Sequence, residues 1–542
     1  MIPPAPSRFR LRFLFIALAL FIVGSAMAVS CGGPSIPKES QWMSHVRALA
    51  DDALEGRGTG THGMEGAADY VARELEKYGV HAAGDSATYF QHVPFLSRRV
   101  KEEDCSLALV RGRRVTRLEF GRDAILSMKP DHAPKVDARL VFVGHGLHVP
   151  ELDYSDLEGV DLKGAIAVFV YGTPKRIRGA RASHASSLDQ RWNAFRAAGA
   201  VGMIRISAAA RDSFPWDRFA AGRFEPSLVL DGRSFDETPG AKIAMFWNPN
   251  RAAPLFKGAR YTWATIRKIA REGRQLPRFE LPYRLRATIA SEVRPVECRN
   301  VVGLIEGSDK KLRDEVVVLS GHLDHLGIST PVDGDSIYNG AMDNASGCAT
   351  LLEVARMIRR SGHAPKRSLL FLFTTGEESG LLGARYFAAR PTVGKRRLVA
   401  NLNIDMFLPI QPIRGITAQG IDESELGNDA RKVAKAESLK VIPDPSPERN
   451  YFIRSDQYPF IRRGIPALMI EAGPVDSAGR AAEAAWNKNH YHKPSDDAVQ
   501  DIDLAAVARY DRYIVALTRH VADRARAPRW HDESYFKRFA KR

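Results

Sequence analysis

The segment "GHLDHLG" places three side chains that can bind a metal or transfer a proton within four positions: His322, Asp324 and His325. It directly follows the apolar run "EVVVLS", which is typical of a buried strand. Imidazole and carboxylate are groups with which proteins bind Zn²⁺. A histidine at a strand end is more often an ordinary core or surface residue, so a metal site requires further ligands elsewhere in the chain.

Further carboxylates and one imidazole stand at strand ends or in polar loops: Asp343, Glu377, Glu378, Asp405 and His492. Each of them alone would be interpreted as a helix cap or a helix-dipole partner. Their combination is harder to explain in that way, and the acid pair follows directly on the apolar strand "LLFLFTT". Two histidines with several carboxylates and no thiolate suit Zn²⁺ above all, with Mn²⁺ or Co²⁺ as alternatives. The ligand count satisfies two ions that share one carboxylate.

The elements that must position these groups are strands alternating with helices. From Asn300 onward, short apolar strands are separated by amphipathic helices, which predicts a mostly parallel sheet covered on both faces. In such a sheet, functional groups gather beyond the carboxyl ends of the strands. A separate block of strands with one helical segment, "SLDQRWNAFRAAGA", precedes this region and is set off from it by Pro-rich, linker-like sequence.

Several segments resemble the co-catalytic di-zinc aminopeptidases, the relatives of bacterial leucine aminopeptidase and glutamate carboxypeptidase. They are "GHLDHLG", "GAMDNASGCATLLEVAR", "FLFTTGEESGLLGARYF", "NLNIDMF", "RSDQYPFIRRGIPALMIEAG" and "YHKPSD". The opening "LEGRGTGTHGMEGAADYVARELEKYGV" is similar to the N-terminal segment of that family, and residues 136–284 are similar to its inserted protease-associated (PA) domain. The resemblance implies an α/β fold: a mostly parallel, mixed central sheet flanked by helices (the zinc exopeptidase fold), with an inserted, β-rich PA domain.

The resemblance also implies a ligand set for two Zn²⁺ ions per chain. Asp343 would bridge the ions, with His322 and Asp405 completing one site, and Glu378 and His492 completing the other.

Three further residues receive catalytic roles by the same resemblance. Glu377 would be the general base for a water shared by the two ions, and it would later protonate the leaving amine. Asp324 would orient the imidazole of His322. Tyr491 would donate a hydrogen bond to the developing oxyanion, with Arg454 as a weaker candidate for the same surroundings.

Three neighbouring residues have no role in this pattern. We expect His325 and His490 to lie in the outer surroundings of the site or at the surface. Glu471, in "MIEAGP", either faces the substrate or is structural.

The N-terminus predicts export. A secretory signal is indicated by a basic stretch, the apolar run "LFIALALFIVG" and the small residues that follow. The apolar run is shorter than a permanent transmembrane helix requires. Two outcomes stay open: cleavage at the small residues Ala26 and Ala28, or lipidation of Cys31, since "AVSC" resembles a lipobox. The expected location is the periplasm or the outer membrane through a lipid anchor, with free secretion as the alternative.

The predicted domains follow from these boundaries. They are a signal peptide, or lipoprotein signal (1–30), the N-terminal part of the peptidase domain (39–135), the inserted PA domain (136–284), the catalytic zinc peptidase domain (285–524) and a basic C-terminal tail (525–542).

Composition limits the class of protein. The formal net charge of +16 would suit a nucleic-acid partner, but the basic residues are scattered without interleaved aromatics, so we expect a solvated surface and no nucleic acid. Four cysteines exclude a dense disulfide framework, and Cys105 and Cys298 are more simply interpreted as reduced thiols than as a pair.

The sequence thus predicts an exported zinc-dependent metallo-aminopeptidase acting on peptides. A carboxypeptidase or a glutaminyl-cyclase-like enzyme would keep most of the same ligands. A non-catalytic binding protein is disfavoured, because the general base and every ligand position are filled.

Overall fold

The computed structural model describes residues 40–177, 179–207, 215–444 and 451–540. The predicted signal (1–30) and Cys31 lie outside the described residues.

The helices have the following bounds: α1 (Gln41–Leu49), α2 (His62–Lys77), α3 (Gly179–Ser186), α4 (Leu188–Ala197), α5 (Trp216–Ala221), α6 (Trp263–Arg271), α7 (Ser346–Arg360), α8 (Leu382–Ala389), α9 (Glu425–Ala436), α10 (Gln457–Ile461), α11 (Ser477–Asn489) and α12 (Leu504–Ala522).

The strands have the following bounds: β1 (His81–Ala82), β2 (Phe90–Val100), β3 (Ser106–Arg111), β4 (Arg114–Leu118), β5 (Ala124–Leu126), β6 (Lys135–Val143), β7 (His148–Val149), β8 (Tyr154–Ser155), β9 (Ile166–Tyr171), β10 (Gly202–Ser207), β11 (Ser227–Leu230), β12 (Ile243–Trp247), β13 (Arg278–Thr288), β14 (Ser291–Ile305), β15 (Glu315–His322), β16 (Gly327–Val332), β17 (Asp335–Tyr338), β18 (Ser368–Thr374), β19 (Arg397–Asn403), β20 (Gly415–Gln419), β21 (Lys440–Val441) and β22 (Ala467–Ala472).

The main sheet has the strand order β11-β2-β14-β18-β15-β19-β22-β20-β21, and β1 pairs with β14. Its centre, β18-β15-β19-β22, is parallel, whereas β11, β2 and β14 on one flank and the β22–β20 pair on the other are antiparallel. The predicted α/β class with a mixed sheet is therefore confirmed, with parallel pairing concentrated where the acids and histidines end the strands.

The central strands are apolar along their length because both faces of the sheet are covered. In β15, Val317 and Leu319 face the core formed with α1, α2, α7, α9 and α12. Val316 and Val318 face the opposite core, which includes Phe387 of α8. Alternate residues of one strand thus enter two cores, as expected for a strand in the middle of a three-layer fold.

A second sheet has the strand order β4-β3-β13-β6-β9-β10-β12-β5. It begins at Ser106 and ends at Thr288, whereas the predicted inserted domain spans 136–284. The strands β3, β4 and β5, which precede residue 136, belong to this sheet, and the exposed, Arg-rich β4 carries no alternating apolar signal. The assignment of this unit as a PA domain stays a prediction.

The segment predicted as a basic tail packs against the peptidase unit. Trp530 and Phe536 are buried in a cluster with Phe452, Ile453 and Tyr458. The aromatic residues of the tail therefore contribute to the fold, while its described basic residues, Arg526, Arg529, Lys537 and Arg538, are exposed.

The described cysteines, Cys105, Cys298 and Cys348, are free thiols, as expected from the sequence. Within the ranges given above, no helix combines the length and the apolar character needed to cross a membrane.

A buried polar cluster holds α1 against α2 and α7. The His45 ring nitrogens lie 2.7 Å from the Tyr70 hydroxyl and 2.9 Å from the Tyr78 hydroxyl, and Glu353 lies 3.9 Å from Nε2. Burial lowers the pKa of His45 to about 4, against the opposing effect of Glu353. The imidazole is therefore neutral in the folded protein over most of the physiological range.

This depressed pKa makes stability fall in acid. Above pH 6.5 the imidazole is neutral in both states; between pH 6.5 and 4 only the unfolded chain takes up the proton, so stability is lost as the pH falls. We expect the wild type to lose roughly 3 kcal/mol more than His45→Gln over this window. Denaturant unfolding at pH 7.5 and pH 4.5 measures the difference, and equal losses in both proteins would contradict the assignment.

Candidate metal centre

The carboxyl ends of three adjacent parallel strands bring the predicted ligands together. His322, the last residue of β15, pairs with Thr374 at the end of β18, and Ser320 pairs with Asn403 at the end of β19. After β18 the chain turns at Gly376, which has a φ of +70° and packs against the ring of Phe95. A Cβ atom at this position would lie 3.1 Å from the ring. The acid pair that follows Gly376 is in this way directed to the edge where His322 ends.

One group of donors consists of His322, Asp343 and Asp405. The His322 Nε2 atom lies 3.2 Å from Asp343 Oδ1 and 3.2 Å from Asp405 Oδ1. All three side chains are buried, and their ligand atoms are close enough together to hold one cation.

The second group shares Asp343 through its other oxygen. The His492 Nε2 atom lies 3.2 Å from Asp343 Oδ2 and 3.5 Å from Glu378 Oε1. Asp343 thus offers one oxygen to each group, as expected of a bridging ligand. Burial alone would raise the pKa of Asp343, but the imidazoles of His322 and His492 hold it well below its ordinary value.

The donor set fits a pair of metal ions. Among the described residues, buried polar atoms without a hydrogen-bond partner include Glu378 Oε1, His492 Nε2 and both ring nitrogens of His325. Buried polar atoms are normally satisfied, so four unpaired atoms at one place fit a site that binds a cation. Nitrogen and oxygen donors without thiolate suit Zn²⁺.

Glu377 stands beside these groups without forming an ion pair in the described structure. Burial raises its pKa well above the ordinary carboxyl value, and the neighbouring carboxylates of Glu378 and Asp405 add to this effect against the opposing effect of His322. A carboxyl group whose pKa is raised above the ordinary value is better suited to accept and return a proton in general acid–base chemistry.

Asp324 acts on different atoms from those predicted. The His322 Nδ1 atom lies 3.0 Å from the main-chain oxygen of Asp324, so the main chain and not the carboxylate orients the imidazole. The carboxylate accepts hydrogen bonds from the main-chain N–H groups of Glu377 (3.1 Å) and Glu378 (3.3 Å). Its position two residues after His322 turns the side chain away from the ring and towards the end of β18.

One of the two predicted alternatives placed His325 at the surface, and the structure contradicts that alternative. His325 is buried, and its Nδ1 atom lies 3.0 Å from Glu378 Oε1 and 3.9 Å from Asp343 Oδ2. Its ring stands edge-on to that of His492 at 5.7 Å. The ligand atoms of His325, Asp343 and Glu378 are close enough together to hold one cation, so His325 is a further candidate ligand beside His492.

Three other candidates lie farther out. The His490 Nδ1 atom contacts the main-chain oxygen of Ser495, away from the donors. Tyr491 is 38% exposed, and its ring stacks on His492 at 3.9 Å, which leaves the phenol at the rim of the site. Arg454 is exposed, and its guanidinium lies 5.6 Å from the ring of Tyr451.

Glu471 ends β22 beside the site. Asn403 of β19 pairs with Met469, so Asp405 and Glu471 follow at corresponding positions of neighbouring parallel strands. The Gln419 side chain donates to Glu471 Oε2 at 3.3 Å. Burial raises the pKa of Glu471 to about 8, and Asp405 adds to the rise.

Two buried carboxylates of the site were missed by the sequence reasoning. Asp496 accepts hydrogen bonds from the main-chain N–H groups of Met342 (2.8 Å) and Asp343 (3.0 Å), which ties the His492 loop to the bridging ligand. Asp456 accepts a hydrogen bond from Thr374, and burial raises its pKa to about 7. Both acids stand within the quoted motifs "YHKPSD" and "RSDQYPF", which was the only signal available.

Comparison with known proteins agrees with this geometry. Residues 300–518 match the family model described as peptidase family M28. A probable zinc metalloprotease of Pyrenophora teres f. teres is 37% identical over 112 residues, which cover 21% of this chain and 23% of that protein. A glutamate carboxypeptidase 2 homolog of Caenorhabditis elegans is 27% identical over 214 residues, 37% of this chain and 25% of that protein. The chain thus spans about a quarter of the length of these curated relatives.

The similarity of fold extends over most of the chain. An aminopeptidase from Aneurinibacillus sp. strain AM-1 superposes with a TM-score of 0.51 and 18% identity, covering 91% of this chain and 94% of that structure. The identity is low, so the superposition supports the fold alone.

Proposed function

We propose that this chain, whose residues 300–518 match the model of peptidase family M28, is a zinc-dependent aminopeptidase that removes N-terminal residues from peptides. The observation that carries the proposal is the sharing of Asp343 between two donor groups, with Glu377 at their side.

The distances between side-chain atoms assign each ligand to one of the two ions. His322 and Asp405 would hold one Zn²⁺ ion, Glu378 and His492 the other, and Asp343 both. When bound, the ions would supply Lewis-acid chemistry, acidifying water and polarising the peptide carbonyl.

Glu377 would perform the proton transfers. Its carboxylate would accept the proton of the attacking water and later deliver that proton to the departing amine. The main-chain hydrogen bonds from Glu377 and Glu378 to Asp324 would fix the turn that carries the base. The Tyr491 hydroxyl would donate to the carbonyl oxygen as negative charge develops there.

The charge around the site favours recognition of the amino end of a peptide. Glu471 would place a further carboxyl group next to Asp405, where its oxygens would accept a hydrogen bond from a free α-ammonium group. In the described part of the chain, no Lys or Arg forms an ion pair with Asp343, Glu378 or Asp405. A carboxypeptidase would instead need a cation near these groups to bind the terminal carboxylate.

A panel of matched peptides tests this assignment. We expect zinc-loaded protein to cleave unblocked and C-terminally amidated peptides but not N-acetylated ones, and a chelator to abolish the cleavage. Liquid chromatography with mass detection identifies the released residue. Cleavage of acetylated but not amidated peptides would make the enzyme a carboxypeptidase.

Export is part of the proposal and rests on the sequence of residues 1–31. Mass spectrometry of the mature N-terminus separates a lipidated Cys31 from cleavage after the small residues.

A further inference from the structure

Arg57 lies in a segment to which neither the ligand set nor the mechanism assigns a role. It is buried, and its guanidinium donates hydrogen bonds to four main-chain oxygens. The acceptors are Leu49, Leu323 (2.8 Å), Asn339 (2.6 Å) and Gly340 (2.8 Å). When all three nitrogen atoms of a buried guanidinium donate to carbonyl groups, the rigid group fixes the distances between the segments that carry those carbonyls.

Leu49 ends α1, and the other three acceptors lie in the two loops that supply metal ligands. Leu323 stands between His322 and Asp324, whereas Asn339 and Gly340 lead into the turn that presents Asp343. One guanidinium thereby joins the loop of the first ligand to the loop of the bridging ligand.

The segment around Arg57 makes two further contacts with the loop that follows His322. Its carbonyl oxygen accepts a hydrogen bond from the N–H of His325 at 3.2 Å. The Thr59 hydroxyl donates a hydrogen bond to Asp324 Oδ2 at 2.9 Å. The same carboxylate accepts a hydrogen bond from the main-chain N–H of Glu377.

The backbone adopts an unfavourable conformation to make these contacts. Glu55, Gly56 and Arg57 have φ values of 48°, 64° and 49°. At Gly56 a Cβ atom would lie 2.3 Å from the Tyr338 oxygen, so only glycine fits there. Left-handed conformations in consecutive residues persist where the surroundings demand them, and they concentrate at functional sites.

The charge of Arg57 also acts on the site. The buried carboxylates of Asp324, Asp343 and Asp496 are among its electrostatic neighbours. A fixed positive charge behind these acids offsets part of the cost of burying them in the ionised form.

We propose that Arg57 is a positioning residue that sets the spacing between the His322 loop and the Asp343 loop, and thereby the zinc affinity of both sites. The inference rests on the proposed metallopeptidase function for its biological meaning, but its test measures metal binding. Lysine keeps the charge and lacks the planar fork, so it cannot hold four carbonyl groups at once.

The test compares Arg57→Lys with Arg367→Lys. Arg367 is also buried, and it donates to the main-chain oxygens of Ala522 and Arg524 and to the Glu315 carboxylate. It precedes β18 and therefore lies at the end of the sheet opposite to the ligands. Both variants should lose thermal stability, but only Arg57→Lys should lose zinc affinity, by roughly 10- to 100-fold in competition with a chromophoric chelator.

A second variant covers the case in which Arg57→Lys does not fold. Arg57→Gly removes the side chain at a left-handed position that glycine tolerates, and millimolar methylguanidinium should restore part of its zinc affinity. Cobalt-substituted protein should show a changed visible absorption spectrum in both Arg57 variants and an unchanged one in Arg367→Lys.

Zinc affinity within twofold of the wild type in the Arg57 variants would overturn the proposal, as would an equal loss in Arg367→Lys. Wild-type protein that binds zinc but cleaves no peptide would contradict the proposed function and leave the Arg57 measurement valid.

Discussion

Glu377→Gln is expected to lose peptide hydrolysis while keeping both zinc ions. Glutamine has nearly the same shape as glutamate but cannot accept the proton of the attacking water. General acid–base groups contribute about 10²- to 10⁴-fold, so kcat should fall by roughly 10³-fold. Glu377 belongs to neither of the donor groups, so zinc content by atomic absorption should stay at the wild-type value.

The neighbouring acid supplies the matched control. Glu378 lies 3.5 Å from His492 Nε2 and belongs to the second donor group, so Glu378→Gln should weaken the binding of one zinc ion. The two adjacent variants thus separate proton transfer from metal binding. If Glu377→Gln hydrolysed peptides at the parental rate, the assignment of the general base would be wrong.

Asp343→Ala is expected to release metal from both sites. Its two oxygens face different imidazoles, Oδ1 towards His322 at 3.2 Å and Oδ2 towards His492 at 3.2 Å. Removing them takes one ligand from each ion and leaves buried imidazoles without the acid between them. Zinc content after dialysis should fall to near zero, and activity should fall with it by at least about 10³-fold.

Asp405→Ala is the control for the bridging role. Of the two ligand histidines, Asp405 contacts His322 and not His492. Replacing Asp405 should therefore weaken one site and spare the other. Zinc titration by calorimetry should then show one tight site in Asp405→Ala and none in Asp343→Ala. Identical losses in the two variants would contradict the bridging role of Asp343.

The sequence could predict which residues meet because parallel strands end at one edge. His322, Glu377 and Asp405 each follow an apolar strand, so their proximity follows from the topology alone. Asp343 and His492 lie in loops, so residue type alone made them candidates, and only the family resemblance gave them ligand roles.

What the sequence could not predict depends on the direction of individual atoms. The family resemblance implied contact between the Asp324 carboxylate and the His322 imidazole, but the carboxylate turns towards the N–H groups of the acid pair. His325 was set aside, although it is buried 3.0 Å from Glu378. Arg57 gave no signal because its partners are main-chain carbonyl groups, which every residue possesses.

The predicted inserted unit begins at residue 136, whereas the sheet that contains most of it also includes earlier strands. Its first strands, β3 and β4, are short, and β4 is exposed along its length, so no periodic pattern marks them. The pairing of β3 with β13, far along the chain, defines them as part of the sheet.

Anomalous diffraction at the zinc edge tests the central claim most directly. The account predicts two zinc ions per chain, one between His322 and Asp405 and the other between Glu378 and His492, with Asp343 contacting both. A single ion, or ions bound away from Asp343, would contradict it.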